Sequence, residues 1–188
     1  LAQSGGEQMD RFIVNADATA TSTGNINLDD STPDADSYYL SEGQDGMRHL
    51  ALVDNTGQGS DASGAVSDTV MTTLLAKLGK YGLDYNSCRI VPDIKTYLAM
   101  LGMSNVVTFD KYGSAATIVS GELARYRGIP VIPSAVVPLT EADGKCSVTG
   151  ASNVKGQILA YNRNFWRLGF RRGLTIEVAA DRPHDFGG

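Results

Sequence analysis

The sequence predicts an α+β domain with a mixed sheet flanked by helices. Two observations carry this prediction. Apolar residues recur at helical spacing in the first hundred residues, most clearly from Val66 to Leu78, whereas after residue 105 the chain breaks into short, strand-like apolar runs. Helical segments followed by a series of strands are typical of α+β folds, because each layer must bury its apolar face against the other.

Composition limits the classes of protein to consider. The chain of 188 residues is 42% hydrophobic, which is enough for a real core, and it has no run of 18 apolar residues that could span a membrane. Its first residues, Leu-Ala-Gln-Ser-Gly-Gly, lack the features of a signal peptide and are typical of a start made by cloning or cleavage. The net charge of −5 argues against general nucleic-acid binding, which needs clustered positive charge. Cys88 and Cys146 are too few and too far apart for a metal cluster or a disulfide scaffold, which indicates reduced thiols.

The N-terminal part predicts the end of a helix followed by a polar connection. Met9, Phe12 and Ile13 recur at helical spacing within residues 5–16. Residues 17–45 contain no Lys or Arg, which predicts an extended, solvated connection, and we expect residues 18–44 within it to be poorly packed. A calcium loop is the sharper alternative, but the acids lack the alternating ligand spacing, central Gly and closing Glu of such a loop. Those acids are Asp29, Asp30, Asp34, Asp36, Glu42 and Asp45.

Residues 45–102 predict three helices and one strand. A short, polar-faced helix forms around Met47, and a Gly/Ser loop follows at residues 55–64. The apolar stripe predicts a helix over residues 66–79, capped by Ser63 or Ser67. Residues 88–91 form a strand of the buried type. Asp93 then caps a helix from Ile94 to Leu101, which Gly102 ends.

The remainder predicts strands. Pro130 and Pro133 place the third of them at a sheet edge or a bulge, because proline cannot donate to a ladder. Gly173 separates the last two, which form a hairpin or one bent strand. The predicted strands are 106–109, 116–119, 129–137, 157–161, 167–172 and 174–179.

Residues with catalytic potential are sparse. A Ser or Cys hydrolase needs a histidine base, and only His49 and His184 are available, the second in a terminal Pro/Asp/Gly segment. The sequence Gly57-Gln58-Gly59-Ser60 precedes a helix but lacks the Lys-Ser/Thr ending and preceding strand of a phosphate loop, which favours a surface loop. Asp110 and Glu122 flank turns and fit capping roles. We therefore predict no catalytic, cofactor-binding or metal-binding residue, and no cofactor.

One basic cluster stands out near the C-terminal end. It is either a solvated, ion-paired face or a surface that meets acidic partners, such as another subunit's acids or packaged nucleic acid. The aromatic pairs Tyr38-Tyr39 and Phe165-Trp166 are isolated, as is typical of core or interface anchors rather than of base-stacking surfaces. The cluster consists of Arg163, Arg167, Arg171 and Arg172.

A series of motifs follows a set order in the second half of the chain. They are Asn-Val-Val-Thr-Phe-Asp-Lys-Tyr-Gly from 105, Gly-Glu-Leu from 121, Gly-Ile-Pro-Val-Ile from 128, Gln-Ile-Leu-Ala-Tyr-Asn from 157 and Leu-Gly-Phe-Arg-Arg-Gly-Leu-Thr-Ile-Glu-Val from 168. In order and spacing, much of residues 45–180 resembles the major capsid proteins of tailed bacteriophages, and the most telling parts are residues 121–133 and 157–178. Asn15-Ala16-Asp17 also resembles the end of that family's long spine helix.

The resemblance implies the phage major-capsid fold and a structural role without catalysis. Residues 1–44 would hold the end of the spine helix and a peripheral-domain segment, residues 45–180 the axial domain, and residues 181–188 a tail toward peripheral-domain strands. There is no room before Leu1 for the family's N-terminal arm, its extended loop or most of its spine helix, so we expect a fragment of the fold. The lysine of the covalent cross-link seen in some members has no counterpart here.

The resemblance also implies partners and a location. The subunit would join other copies of itself in pentamers and hexamers of an icosahedral shell around double-stranded DNA, which it would touch only weakly and without sequence preference. Scaffold, portal or decoration proteins are further partners, no membrane is involved, and the protein would be found in the virion after assembly in the bacterial cytoplasm. The loops at residues 55–64 and 140–152 are the expected contacts around symmetry axes.

Two rival functions stay open at this point. The first is a capsid-like shell of a host or gene-transfer particle, which the nucleic-acid content of purified particles would distinguish. The second is a small α+β enzyme or ligand-binding module that uses the loop around Gly57 and Gly59. A deep pocket lined by titratable groups with perturbed pKa values would favour that second function.

Overall fold

The computed structural model describes residues 2–20, 25–28, 44–104, 106–107, 124–167 and 169. These residues confirm an α+β fold with a mixed sheet. The described elements are α1 (Ala2–Asn15), α2 (Met47–His49), α3 (Asp68–Lys77), β1 (Cys88–Pro92), α4 (Ile94–Leu101), β2 (Val106–Val107), β3 (Ala124–Tyr126), β4 (Ile129–Val131) and β5 (Ile158–Asn162). Helix α2 continues as one π-helical segment, Leu50–Asp54. No helix in the described part of the chain is both long and apolar enough to cross a membrane.

The described strands form one sheet in the order β2-β3-β4-β1-β5. Only β1 and β4 pair in parallel, with Ile90 opposite Val131, and the other neighbours are antiparallel. Ile90 also lies opposite Ala160 of β5. The β1 strand therefore has a partner on each side, and both partners come from later in the chain.

The prediction of an edge or bulged strand at Pro130 was wrong. Strand β4 lies inside the sheet between β3 and β1, and it is only three residues long. The missing N–H of one proline is tolerated because backbone bonds to β1 resume beyond it, where Ile132 N donates to Ile90 O at 2.9 Å and Ser134 N donates to Pro92 O at 3.0 Å.

A tight hairpin joins β3 to β4. Its two turn residues, Arg127 and Gly128, have φ angles of 49° and 87°. Positive φ at both central positions is the geometry of the two-residue turns that match the twist of antiparallel strands. Strand β3 was not predicted, because three residues, Ala-Arg-Tyr, are too few to show alternation.

The core lies between the sheet and helices α3 and α4. Met71 of α3 and Met100 of α4 are fully buried against Ile90 and Tyr126 of the sheet. The predicted helix over 66–79 is confirmed with tighter bounds, and Ser67 is its cap, accepting from Val70 N at 3.4 Å. Asp93 is confirmed as the cap of α4, accepting from Thr96 N at 3.0 Å.

Part of the polar segment after α1 is packed, contrary to the prediction for residues 18–44. Asn25, Ile26 and Asn27 are buried, and Cys146 N donates to Ile26 O at 2.9 Å. The lone isoleucine supplies apolar area while its neighbours form local hydrogen bonds, so the segment docks without helical or strand periodicity. The predicted strands at 116–119 and 174–179 lie outside the described residues. So do most of residues 167–172, and the described ones among them, 167 and 169, are not in a strand.

Candidate functional site

The largest fully buried side chain in the described part of the chain is that of Arg48, which is 1% exposed. Its Nε donates to Gln157 Oε1 at 2.8 Å, and its Nη1 donates to Asn15 Oδ1 at 3.0 Å and to Asn27 Oδ1 at 3.2 Å. Its Nη2 donates to Gly144 O at 2.9 Å. One side chain thus joins α1, the 25–28 segment, the 140–152 loop and the residue before β5.

The energetics of this group explain why it needs so many partners. A buried charge is costly unless its donors are all engaged, and the fork of Arg48 reaches acceptors in four segments. Burial lowers the pKa of Arg48, while the nearby Cys146 and Asp17 act in the opposite direction. The cluster is therefore a rigid junction that fixes where the loop and the helix end lie.

A second polar group lies on the same short helix. The imidazole of His49 is 4% exposed, and its Nδ1 lies 3.0 Å from Oδ2 of the fully buried Asp17. On the other side of the ring, Nε2 lies 3.9 Å from Asp45 Oδ1 and 3.7 Å from Asp54 Oδ1. Asp17 also accepts from Thr19 N at 2.7 Å and from Ile26 N at 2.6 Å, which holds its carboxylate in place.

Close backbone contact between α1 and α2 brings these side chains together. Gly46 N donates to Ala16 O at 2.7 Å. A Cβ on Gly46 would lie 2.8 Å from Ala16 N and from Val14 O, so only glycine allows this approach. The sequence predicts a short, polar-faced helix here, but it does not predict that Arg48 and His49 are both buried.

Their partners explain why sequence reasoning missed them. Gln157 is 109 residues from Arg48 and Gly144 is 96 residues away. No local pattern reports such contacts. The one usable observation in the sequence was that Asp17 and Asp45 stand at the two ends of a stretch that contains no Lys or Arg.

A cleft of about 380 Å³ opens beside the Arg48 cluster. Asn15, Asn27 and Cys146 belong to both, and Arg11 is the one charged side chain among the residues that line the cleft. The other lining residues are Leu28, Ala135, Val136, Pro138, Leu139, Ser147, Val148, Gly150 and Asn153.

The nucleophile candidates gain no support from their surroundings. Neither Cys88 nor Cys146 is in a disulfide. Cys88 is fully buried in the core, and burial raises the pKa of its thiol, so it stays protonated and weakly nucleophilic at neutral pH. His49 contacts carboxylates, not a serine or cysteine, among the described residues. The other histidine, His184, lies outside the described residues, as do Asp110, Glu122 and the Tyr38-Tyr39 pair.

The glycine loop at 57–60 does not have the geometry of an anion cradle. Thr56–Gln58 form a single exposed 3-10 turn, and Lys77 Nζ donates to Gly57 O at 2.7 Å. The Gly57 carbonyl oxygen therefore binds the Lys77 ammonium group, and a carbonyl oxygen in this loop would repel an anion. This outcome agrees with the interpretation as a surface loop.

The two loops expected at symmetry axes differ in structure. The 55–64 loop is largely exposed. The 140–152 loop is anchored at its base, where Thr140 pairs with Lys155 and Gly144 O accepts from Arg48. Residues 142–143 and 148–151 of this loop are exposed, whereas Thr140 and Ser147 are buried. We therefore regard the second loop as a rigid projection.

Large apolar side chains are exposed in the segment just before β1 and in the turn just after β5. Leu83 is 82% exposed and Phe165 is 65% exposed, and the Phe165 ring meets Tyr81 edge-on with centroids 4.6 Å apart. Tyr85 is exposed as well. We call these four residues the aromatic patch.

The basic cluster is only partly described. Arg163 and Arg167 are exposed beside the aromatic patch in sequence, and Arg167 Nη1 donates to Trp166 O at 3.1 Å. Arg171 and Arg172 lie outside the described residues, and Arg167, which the sequence places in a strand over 167–172, is not in a strand.

Comparison with known proteins adds nothing to these observations. No protein-family model matches the sequence, and no curated protein matches it. Function must therefore be inferred from the scaffold, the polar junction and the exposed apolar surface.

Proposed function

We propose that the chain is a structural subunit of an icosahedral bacteriophage capsid, the shell that encloses double-stranded DNA, and that it has no enzymatic activity. The carrying observation is the aromatic patch, because Leu83 and Phe165 are the two most exposed of the large apolar side chains in the described part of the chain. Contiguous exposed apolar side chains on a folded domain mark interaction surfaces. A shell subunit needs such surfaces, because its stability in the assembly comes from many repeated contacts.

The positions of the resembling motifs support the same proposal. Residues 128–132 supply β4, and residues 157–162 supply β5, so the two motifs flank β1 in one sheet. Their side chains form framework rather than a reactive site. The motif from residue 168 lies largely outside the described residues. In this proposal the fold is that of the phage major capsid proteins, with residues 45–180 as the axial domain.

The proposed partners are other copies of the chain, in pentamers and hexamers. Scaffold, portal and decoration proteins are further proposed partners, and DNA is touched weakly. The proposed location is the virion, after assembly in the bacterial cytoplasm. The rigid 140–152 projection, which Arg48 anchors, and the exposed 55–64 loop are the proposed contacts around the symmetry axes.

Electron microscopy of the expressed full-length gene product tests this proposal. We expect closed particles for the natural sequence and unassembled subunits for a double variant, Leu83→Glu with Phe165→Glu. The matched control is Asn86→Asp, which adds one negative charge next to the patch without removing apolar surface. Circular dichroism must show that the double variant is folded. Failure of the natural protein to assemble under any condition, or assembly of the double variant as readily as the control, would refute the proposal.

The nucleic-acid content of such particles separates the phage capsid from its nearest rival. Particles that package phage DNA support the proposal. Particles filled with protein, or with random host DNA, would instead indicate a host shell or a gene-transfer particle of related architecture.

The cleft beside Asn15 favours a second candidate function, a ligand-binding module. Its volume of about 380 Å³ is within the range of small-molecule sites. Arg11 would supply the charge that orients an anionic ligand. A thermal-shift screen of small carboxylates and phosphates, with Arg11→Gln as the variant and Arg89→Gln as the matched control, tests this candidate. Saturable stabilisation that disappears only in Arg11→Gln would favour it over the capsid role.

A further inference from the structure

Metal-binding atoms from three side chains converge where α1 ends and α2 begins. One ligand atom from each of Asp17, Asp45 and His49 lies within 4.8 Å of the other two. The three come from both ends of the 17–45 segment and from α2. The linear spacing of acids in that segment does not match a calcium loop, but the folded chain brings its two ends to one imidazole.

The state of His49 is the second observation. Its Nδ1 is buried and has no hydrogen-bond partner. Asp17 Oδ2 lies 3.0 Å from Nδ1, yet it does not lie in the direction of a ring N–H. A buried polar atom without a partner is costly and uncommon, so its presence calls for an explanation.

A shared cation explains that contact. Two ligand atoms bound to one ion in the tetrahedral geometry that Zn²⁺ prefers, each at about 2.1 Å, are about 3.4 Å apart. The separation of His49 Nδ1 and Asp17 Oδ2 is 3.0 Å, so an outward shift of about 0.4 Å would let the two atoms bind one tetrahedral ion.

The charge around the site favours a divalent cation. Asp17, Asp45 and Asp54 surround the His49 ring. The nearby positive charge of Arg48 is directed to acceptors in other segments. The side chains of Asp45 and Asp54 are 31% and 46% exposed, which gives an ion a path from solvent to the buried imidazole.

We propose that Asp17, Asp45 and His49 bind one divalent cation of the zinc class. An imidazole nitrogen with two carboxylates suits Zn²⁺ or a neighbouring transition metal, whereas Ca²⁺ and Mg²⁺ prefer sites made of oxygen alone. The bound ion links the end of α1 to α2 and closes the 17–45 segment at its base. This proposal does not depend on the capsid role.

The proposal is tested by titrating the metal-free full chain with Zn²⁺ and measuring the heat of binding by calorimetry. We expect about one Zn²⁺ per chain and a rise in the melting temperature on binding. Co²⁺ provides an optical probe, since its visible absorption reports nitrogen and oxygen ligands directly. The variant Asp45→Asn keeps a side-chain oxygen that can accept from Ala18 N, as Asp45 does at 2.9 Å, and so preserves the fold.

We expect Asp45→Asn and His49→Gln each to weaken Zn²⁺ binding on the order of 10- to 100-fold or more. The matched control, Asp61→Asn, removes an exposed carboxylate from the 55–64 loop and should bind as the natural chain does. If His49→Gln fails to fold, Asp45→Asn decides, because its side chain is partly exposed.

Three outcomes would overturn the proposal. The first is the absence of saturable Zn²⁺ binding and of Co²⁺ absorption, which would leave His49 with the neighbouring acids as its only partners. The second is unchanged affinity in Asp45→Asn, which would place any bound ion elsewhere. The third is tighter binding of Ca²⁺ than of Zn²⁺, which would contradict the assigned class of cation.

Discussion

Tyr126 donates its phenolic hydroxyl to Asp68 Oδ1 at 2.6 Å, while the next residue, Arg127, places Nη2 2.8 Å from Oδ2 of the same carboxylate. Asp68 is the first residue of α3, and Tyr126 ends β3. A carboxylate at a helix N-terminus is favoured by the helix dipole. This contact therefore joins the β3–β4 hairpin to α3 at the edge of the core.

The contact predicts a loss of stability at alkaline pH. Burial, with the hydrogen bond to Asp68, raises the pKa of Tyr126 above its ordinary value of 10.0. Because the folded-state pKa is the higher one, this group's contribution to stability is complete below pH 10 and is lost as the pH rises through the folded-state pKa. Urea unfolding between pH 8 and pH 12 should show the decline, and Tyr126→Phe should make it shallower.

A remaining slope is expected in Tyr126→Phe. Burial also raises the pKa values of Tyr97 and Cys88, so they add to the alkaline loss. The exposed Tyr85 provides the control, since Tyr85→Phe should leave the pH profile unchanged. A profile for Tyr126→Phe identical to that of the natural chain would contradict the role of the Asp68 contact.

Met71 is the core position of α3. It is fully buried, whereas Leu74, which the apolar stripe also predicts as core, is only half-buried. We expect Met71→Ala to lower the free energy of unfolding by about 2–5 kcal/mol and Leu74→Ala to lower it by less, because less apolar area and a smaller cavity are involved. Chemical denaturation measures both, and an equal or larger loss in Leu74→Ala would show that the assigned face is wrong.

The junction at Arg48 predicts a large and specific loss. Arg48→Met removes the donor to the side-chain oxygens of Asn15, Asn27 and Gln157, at about 1–3 kcal/mol each, so we expect a loss of at least about 3 kcal/mol. Arg48→Lys should not restore it, because a single ammonium cannot reach acceptors on several sides. The exposed Arg163→Met is the control. A melting temperature for Arg48→Met within a degree of that control would rule out the proposed junction.

Gly156 predicts a steric effect. A Cβ there would collide with Thr96 Oγ1 and would lie 2.7 Å from Asp93 Oδ2, the capping carboxylate of α4. We expect Gly156→Ala to cost about 1–3 kcal/mol through overpacking. Gly150→Ala is the matched control, since a Cβ at that position meets nothing within 4 Å. Thermal unfolding of the two variants should differ clearly, and equal stability would show that the α4 cap yields easily.

Local chemistry made several elements predictable. Ser67 and Asp93 cap helices where the sequence places them, because capping depends on residues three positions apart. Strands β1 and β5 follow from continuous apolar runs. Strand β3 could not be predicted, since its three residues pair only because the turn at Arg127 and Gly128 folds them onto β4.

The candidate sites were beyond local reasoning for a different reason. Arg48 and His49 are polar, so their position on a short helix predicts exposure. Their burial depends on Asn15, Gln157 and Gly144, which lie far along the chain. A charged side chain can be buried only where the fold supplies all its hydrogen-bond partners. That condition depends on the folded chain as a whole and not on the local sequence.

The placement of β1 between two later strands has a consequence for synthesis of the chain on the ribosome. Strand β1 ends at residue 92, and its partner β5 ends at residue 162, which leaves 162 − 92 = 70 residues to be made before the pairing is complete. At about 5–20 residues per second this takes roughly 4–14 s. During that interval the apolar strand is a target for chaperones, and the nascent chain should pull on a stalled ribosome only once residue 162 has left the exit tunnel.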